Sequence, residues 1–301
     1  MKRAYAAYVV SLILFGLNGV VASYISLPSD EIVFLRTCIG SVVLLAVFLL
    51  LREKFTFLQY QRDFIYVAVS GIAMGASWIF LYEAYQLIGV SLSSLAYYCG
   101  PVIVMLFAPV LFREKLTWAG IGSFTIVLFG TFFVNGDILL TGDNGWGLFC
   151  GGMSAVMHAA MVICTKKVKQ IGGLENSVWQ LIFSFLSVVV FMGCMGSGFS
   201  FEIAAEDWVP ILILGVFNTG ICCYLYFSSL GHLPIQTVSI CGYLEPLSAV
   251  VFSVLLLGEV LLPIQLLGAA LILGGALAGE MYAYKKEIRS ELANTKKKNV
   301  G

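Results

Sequence analysis

Apolar runs of about 20 residues recur along this chain, separated by short polar breaks. Ten are legible: 5–26, 32–51, 64–86, 91–112 and 117–134, then 146–165, 174–196, 208–230, 235–257 and 261–282. About 20 apolar residues in a helix span the hydrocarbon core of a bilayer. None of the runs alternates as a barrel strand does. Lipid supplies no hydrogen-bond partners, so each run predicts an α-helix that satisfies its own backbone. The expected fold class is an all-α polytopic membrane protein with ten transmembrane helices.

The polar breaks sort by sign. With the amino terminus placed inside and the runs alternating, the inner segments hold Lys2, Arg3, Arg52, Lys54, Arg62, Arg113, Lys115, Lys166, Lys167, Lys169, Lys285, Lys286, Arg289, Lys296, Lys297 and Lys298. The outer loops hold Asp30, Glu31, Asp137, Asp143, Glu202, Glu206, Asp207 and Glu259, and no Lys or Arg. A miscount by one helix would scatter these charges, so the sorting supports both the count and the orientation. It places both termini in the cytoplasm and the chain in the cell membrane. Arg36, inside the second run, is the one basic residue left over.

Composition agrees with this reading. Of 301 residues 60% are hydrophobic and 11% charged, and mean hydropathy is +0.95. Soluble domains carry about 25% charged residues. The 17 basic and 17 acidic residues cancel, which removes the electrostatic basis for nucleic-acid binding. The expected partners are the lipid bilayer and a small solute; a monomer and a homo-oligomer both fit. The eight cysteines form no CxxC or Cys/His metal spacing and read as small apolar packing residues. The first run is too long for a signal-peptide core and lacks a small-residue cleavage site, so it reads as a retained span.

One pattern occurs twice. Pro101 and Pro246 stand 145 positions apart, as do Glu114 and Glu259, Tyr98 and Tyr243, Ser94 and Ser239, and Gly75 and Gly220. Each half holds five runs, an odd number, so the second half crosses the membrane inverted relative to the first, as in many secondary transporters. The expected organisation is a first repeat at 1–134, an outer linker at 135–145, a second repeat at 146–284 and a Lys-rich inner tail at 285–301.

The segment from Gly231-His232-Leu233-Pro234 through Leu244-Glu245-Pro246, Leu257-Gly258-Glu259 and 267–275 resembles the drug/metabolite transporter superfamily, in particular its ten-span EamA-type members. The first half carries a weaker copy, with Phe15-Gly16-Leu17-Asn18 and Phe34-Leu35-Arg36 before it. The resemblance covers nearly the whole chain. It implies two five-helix bundles around a central cavity, alternating access, and substrates drawn from amino acids, nucleotide sugars, phosphorylated metabolites and cationic drugs. The first copy departs from the second at Gly100, where the second has Glu245.

The candidate chemistry lies at mid-membrane. A charge at that depth costs about 2.5–3.5 kcal/mol, and a proline removes a backbone hydrogen bond. Glu245 beside Pro246 therefore reads as a substrate-amine or proton site, or else as a structural carboxyl bonded to a neighbouring helix. Pro101, Gly100 and Pro246 read as a paired broken-helix hinge, or as static kinks. Asn18, Asn218 and His158 could meet substrate or merely join helices, and His158 could carry a proton. Trp78, Tyr98 and Tyr243 lie too deep for an interfacial belt. They suit stacking on a flat, amphipathic or cationic solute, or ordinary packing. Arg36 and Glu83, at similar depth, are expected to pair as a structural or gating salt bridge. Glu114 and Glu259 are expected to cap the helices that follow them.

No cofactor motif occurs, and a proton taken up at Glu245 could drive exchange. A P-loop is absent, as are HExxH and GxSxG, so the chain reads as neither an ATPase nor a membrane enzyme. A channel or receptor-like binding protein would lack the expected rings of pore charges. The leading expectation is a secondary transporter exporting amino acids or related amphipathic metabolites, with import or exchange of phosphorylated or nucleotide-linked metabolites as the alternative.

Overall fold

The computed structural model describes residues 2–97, 99–100, 144–195, 203–230, 232–233, 241–242 and 244–275, with scattered positions between 103 and 133 and between 277 and 282. Among them no strand occurs. Helices α1 (Lys2–Phe15) and α2 (Asn18–Ala22) divide the first apolar run at Gly16-Leu17. There Leu17 N bonds Leu14 O at 3.0 Å, one residue tighter than an α-turn. Gly16 is required at the break, since a Cβ would lie 2.1 Å from Ser248 Oγ across the interface. Helix α3 (Ser29–Leu50) opens with Asp30 and Glu31 at its positive end. Helix α4 (Gln61–Ile88) has 28 residues, about 42 Å at 1.5 Å per residue. Gly89, at φ +79°, turns the chain into α5 (Val90–Tyr97).

In the second half, α6 (Gly145–Lys167) and α7 (Gly173–Met195) are regular, and α6 ends on Lys166 and Lys167. A 3₁₀ turn at Ala205–Asp207 leads into α8 (Trp208–Leu212), a π-helical segment Ile213–Ile221 and α9 (Cys222–Leu230). Helix α10 (Leu244–Phe252) likewise passes into a π segment, Ser253–Leu257, closed by Gly258 at φ +68°. Helix α11 (Pro263–Gly275) follows.

Among the described residues six helices are long and apolar enough to cross a membrane: Arg3–Ala22, Ser29–Leu50, Gln61–Ile88, Gly145–Lys167, Gly173–Cys194 and Ala205–Leu230. They match the first, second, third, sixth, seventh and eighth expected runs. Much of the second half of the fourth run, the fifth beyond scattered positions, the linker at 135–143 and the tail from 283 lie outside the described residues.

The helices pack across the two halves of the sequence. Helix α1 lies against α9 and α10, and α6 against α4 and α5. Helix α7 lies against α3 and α4, and the first π segment against α3. Small residues permit these approaches. A Cβ on Gly71 or Gly75 would come within 2.6 Å of backbone oxygen in α7, and one on Gly151 within 2.8 Å of the Ala96 Cβ in α5. Hydroxyls then tie α4 to α6: Ser70 Oγ to Thr165 Oγ1 at 2.7 Å, and Ser77 Oγ to Ser154 O at 2.9 Å. Polarity is reversed relative to a water-soluble protein: Val42, Leu50, Val190 and Leu255 are exposed, while Arg36, Asn18, Asn218 and many serines are buried. This arrangement leaves a polar centre surrounded by an apolar exterior.

Candidate functional site

The break between α1 and α2 puts Asn18 at the start of a new helix, facing the interior. There it meets a cavity of about 30 Å³, whose walls include Trp78 of α4, Tyr97 of α5, His158 of α6, Tyr226 of α9 and Glu245 of α10. Ser77, Met161, Cys223 and Phe227 complete much of the remaining wall. A cavity of 10–15 Å³ holds about one water, so this one has room for a few waters and none for an organic solute.

Four expected site residues, Asn18, Trp78, His158 and Glu245, thus share one wall. Asn218 stands behind them, donating to Asn18 Oδ1 at 3.0 Å and to Leu14 O at 3.3 Å. Tyr98, Tyr243, Pro101 and Glu114 lie outside the described residues, and of Pro246 only the backbone, within α10, is described. Tyr97 and Tyr226 join the wall from the aromatic-rich stretches of the fourth and eighth runs. Ser77, Cys223 and Thr219 have no signal in the sequence that separates them from packing residues.

Glu245 is half-buried, and among the described residues nothing hydrogen-bonds its carboxylate. Its backbone carbonyl accepts from Ser248 Oγ at 2.7 Å. His158 Nδ1 is hydrogen-bonded to the Tyr97 hydroxyl, and the two rings meet edge-on with centroids 4.7 Å apart. Gly100 packs beside this pair: a Cβ there would lie 3.2 Å from Ala155 O and 3.3 Å from His158 Cδ2. The imidazole thus crowds the position where the repeat would place a second carboxylate.

The expected Arg36–Glu83 salt bridge is not formed. Arg36 is 1% exposed. Its Nε donates to Thr219 Oγ1 at 2.9 Å, its Nη1 to the Tyr82 hydroxyl and its Nη2 to Asn18 Oδ1 at 3.5 Å. The guanidinium also lies over the Trp78 ring at 4.3 Å and the Tyr82 ring at 5.0 Å. Glu83 accepts from Ser29 Oγ at 2.5 Å instead. Successive residues on an α-helix point about 100° apart. Tyr82 faces Arg36, so Glu83 turns away despite its equal depth. The π segment supplies the remaining partner. Its wider turn leaves the Thr219 hydroxyl bonded to Leu214 O at 2.8 Å and still open to Arg36.

Glu259 caps a helix other than the expected one. Its carboxylate accepts from Val90 N and Ser91 N, both at 3.0 Å, and from Ser91 Oγ, closing the amino end of α5 in the first half. The start of the following helix is served by Gln265, whose Oε1 accepts Leu262 N at 2.9 Å. Three more carboxylates cross between halves. Asp207 accepts Ser26 N at 3.3 Å, Asp63 accepts Lys169 N at 2.8 Å and Gln170 N at 2.6 Å, and Glu175 accepts Thr56 N at 2.8 Å and Phe57 N at 3.1 Å.

The profile of the EamA-like transporter family matches residues 2–136 and again 145–278. An uncharacterized transporter, YxxF, of Bacillus subtilis (strain 168) is 26% identical over 277 residues, covering 91% of this chain and 88% of its own. The pseudopaline exporter CntI of Pseudomonas aeruginosa (strain UCBPP-PA14) is 25% identical over 194 residues, or 64% of this chain and 65% of its own. A solved crystal structure at 18% identity superposes with a TM-score of 0.69, covering 93% of this chain and 98% of that one, and shares the fold. With a buried polar centre enclosed by apolar helices and two matches that together cover most of the sequence, the chain belongs to the EamA-like transporter family and is a multi-pass membrane protein.

Proposed function

We propose that this chain is a secondary transporter that moves a small organic solute by alternating access, exporting amino acids or related amphipathic metabolites. The observation that carries the reading is the central cavity. Its wall joins a carboxylate with no hydrogen-bond partner among the described residues (Glu245), a hydrogen-bonded imidazole (His158), an amide (Asn18) and aromatic faces (Trp78, Tyr97, Tyr226). Such a set suits an amine-bearing solute with an apolar or flat body. Arg36 is held by Thr219, Tyr82, Asn18 and Trp78 and does not line the cavity, which favours this class over an anionic one. The similarity to a pseudopaline exporter favours the outward direction.

The reading includes ten spans in two inverted five-helix repeats, with both termini cytoplasmic in the cell membrane. Several observations support it. The family profile matches twice. The helix pairings exchange as a two-fold relation requires: α1 with α9 and α10 mirrors α6 with α4 and α5. Two further cavities are built from positions 145 apart, one using Tyr82 and Tyr85, the other Phe227 and Leu230. The Lys-bearing ends of α6 and the following loop fit the inner side. Glu245 and His158 are the proposed proton carriers; no other cofactor and no catalytic residue is part of the reading.

A cavity of about 30 Å³ is too small for an organic solute, so in this reading transport requires the halves to separate on one side at a time. The test is counterflow in proteoliposomes with a panel of amino acids, phosphorylated metabolites and cationic drugs, with and without a pH gradient. Amino-acid-type solutes should exchange. Exchange confined to phosphorylated solutes would transfer the assignment to the alternative class, and a hydrolytic or transferase activity without any transport would overturn the reading. Glu245→Gln should retain counterflow and lose its response to the pH gradient; an unchanged response would return Glu245 to a structural role.

A further inference from the structure

At the Lys-bearing face a second pocket, of about 440 Å³, opens between the end of α6, the start of α7 and the end of α9. Lys166, Lys169, Asn176, Ser228 and His232 line it, together with Phe227, which also forms part of the central cavity wall. No carboxylate is among its described lining residues. Two carboxylates of the same face are engaged elsewhere: Asp63 holds the backbone of Lys169 and Gln170, and Glu175 holds that of Thr56 and Phe57. The Asp63 bonds pin the loop that carries Lys169. Lys166 Nζ donates to Leu230 O at 3.2 Å, which leaves further donors on its ammonium. Gly172 and Gly173, at the amino end of the 23-residue helix α7, form part of the rim. A helix begins there with unpaired amides and partial positive charge.

Asn176 supplies an independent observation. It is 5% exposed, and its Oδ1 is buried without a hydrogen-bond partner among the described residues. Buried acceptors rarely stay unpaired, so Asn176 Oδ1 calls for a donor from outside the described residues. The cavity at positions 145 residues earlier supplies the control. It encloses about 170 Å³ and is lined by Tyr82, Tyr85 and Gln86, with no Lys or Arg among its described lining residues. Basic lining is therefore no requirement of the packing itself.

We propose that this pocket binds a phosphate group that also carries a hydroxyl. The phosphate oxygens face Lys166, Lys169 and the start of α7, and the hydroxyl donates to Asn176 Oδ1. Inorganic phosphate or a phosphate monoester from the aqueous side has this chemistry, and so does the head group of a glycerol-bearing anionic lipid. Sulfate has the charge without the hydroxyl. A site built to bond a hydroxyl strongly rejects an analogue that lacks it.

The test uses the full chain in nanodiscs and does not require the transport reading to hold. In phosphatidylcholine discs, inorganic phosphate and sulfate are titrated against hydrogen exchange across residues 165–180. In a second series the discs contain phosphatidylglycerol. If the source is soluble, phosphate protects saturably and sulfate does so at least about tenfold more weakly; if it is lipid, phosphatidylglycerol protects and added phosphate changes nothing. In either case Lys169→Gln, an exposed position, should weaken protection about tenfold; if the source is soluble, Asn176→Leu should also erase the preference for phosphate over sulfate. Measurable protection that is equal for the two anions, no effect of Lys169→Gln, or no protection in either series would overturn the proposal.

Discussion

Arg36 is a full charge at bilayer depth that forms no ion pair among the described residues. A point charge there would be costly. Three directed hydrogen bonds and two aromatic faces offset that cost, and they need a planar fork. Hydrogen bonds to charged groups are worth about 1.5–3 kcal/mol each. Arg36→Lys keeps the charge and loses the fork, so it should destabilise the protein by about 2 kcal/mol, read as a lower unfolding midpoint in nanodiscs. An unchanged midpoint would show that the guanidinium geometry is not what holds Arg36 in place. Gly100 provides a second test at this scale. With His158 Cδ2 3.3 Å from its would-be Cβ, Gly100→Ala should cost about 1–2 kcal/mol by overpacking. Gly100→Glu should fail to rescue the pH response of Glu245→Gln; rescue would mean that the two halves tolerate interchangeable carboxylates.

At the scale of elements, six of the ten apolar runs were legible in the sequence as spans, because lipid imposes one rule on every span. Azimuth was not. Depth alone suggested Arg36 with Glu83, while the helix phase turned Tyr82 toward Arg36 and Glu83 toward Ser29. The π segment at Ile213–Ile221 was equally hidden. Its extra residue per turn leaves only weak composition signals, and yet it carries both Asn218 and Thr219. Likewise Glu259 lies near one helix in sequence and caps another in space. A glycine inside a span permits a close helix contact without naming its partner. At α4 that partner is α7, with Ser184 O 2.6 Å and Ser187 Oγ 2.1 Å from a Cβ on Gly75. Gly75→Val should therefore force α4 and α7 apart and cost about 3 kcal/mol, measured as loss of folded protein on heating in detergent. Gly152, where a Cβ meets nothing within 4 Å, is the matched control, and Gly152→Ala should change little.

The whole molecule is tied together at both faces by carboxylates of one half holding backbone amides of the other. On the face with Lys166 to Lys169, Asp63 holds Lys169 and Gln170, and Glu175 holds Thr56 and Phe57. On the opposite face, Asp207 holds Ser26, and Glu259 holds Val90 and Ser91. The small central cavity lies between the two sets. If the halves separate on one side at a time, each set opposes one opening, and a bond lost there shifts the balance toward that side. A loss of about 1.4 kcal/mol is a factor of ten in population, and one charge-assisted bond is of that size. Asp63→Ala with Glu175→Ala should raise thiol labelling of Ser228→Cys, in the pocket on the Lys-bearing face, about tenfold. Labelling of Ser23→Cys, in the smaller cavity of the opposite face, should not rise. Asp207→Ala with Glu259→Ala should do the reverse. Mass spectrometry resolves each site against the native cysteines. Both reporters rising together in either variant would mark the carboxylates as general supports of the fold. Opposite responses would identify them as the latches whose alternate release the transport cycle requires.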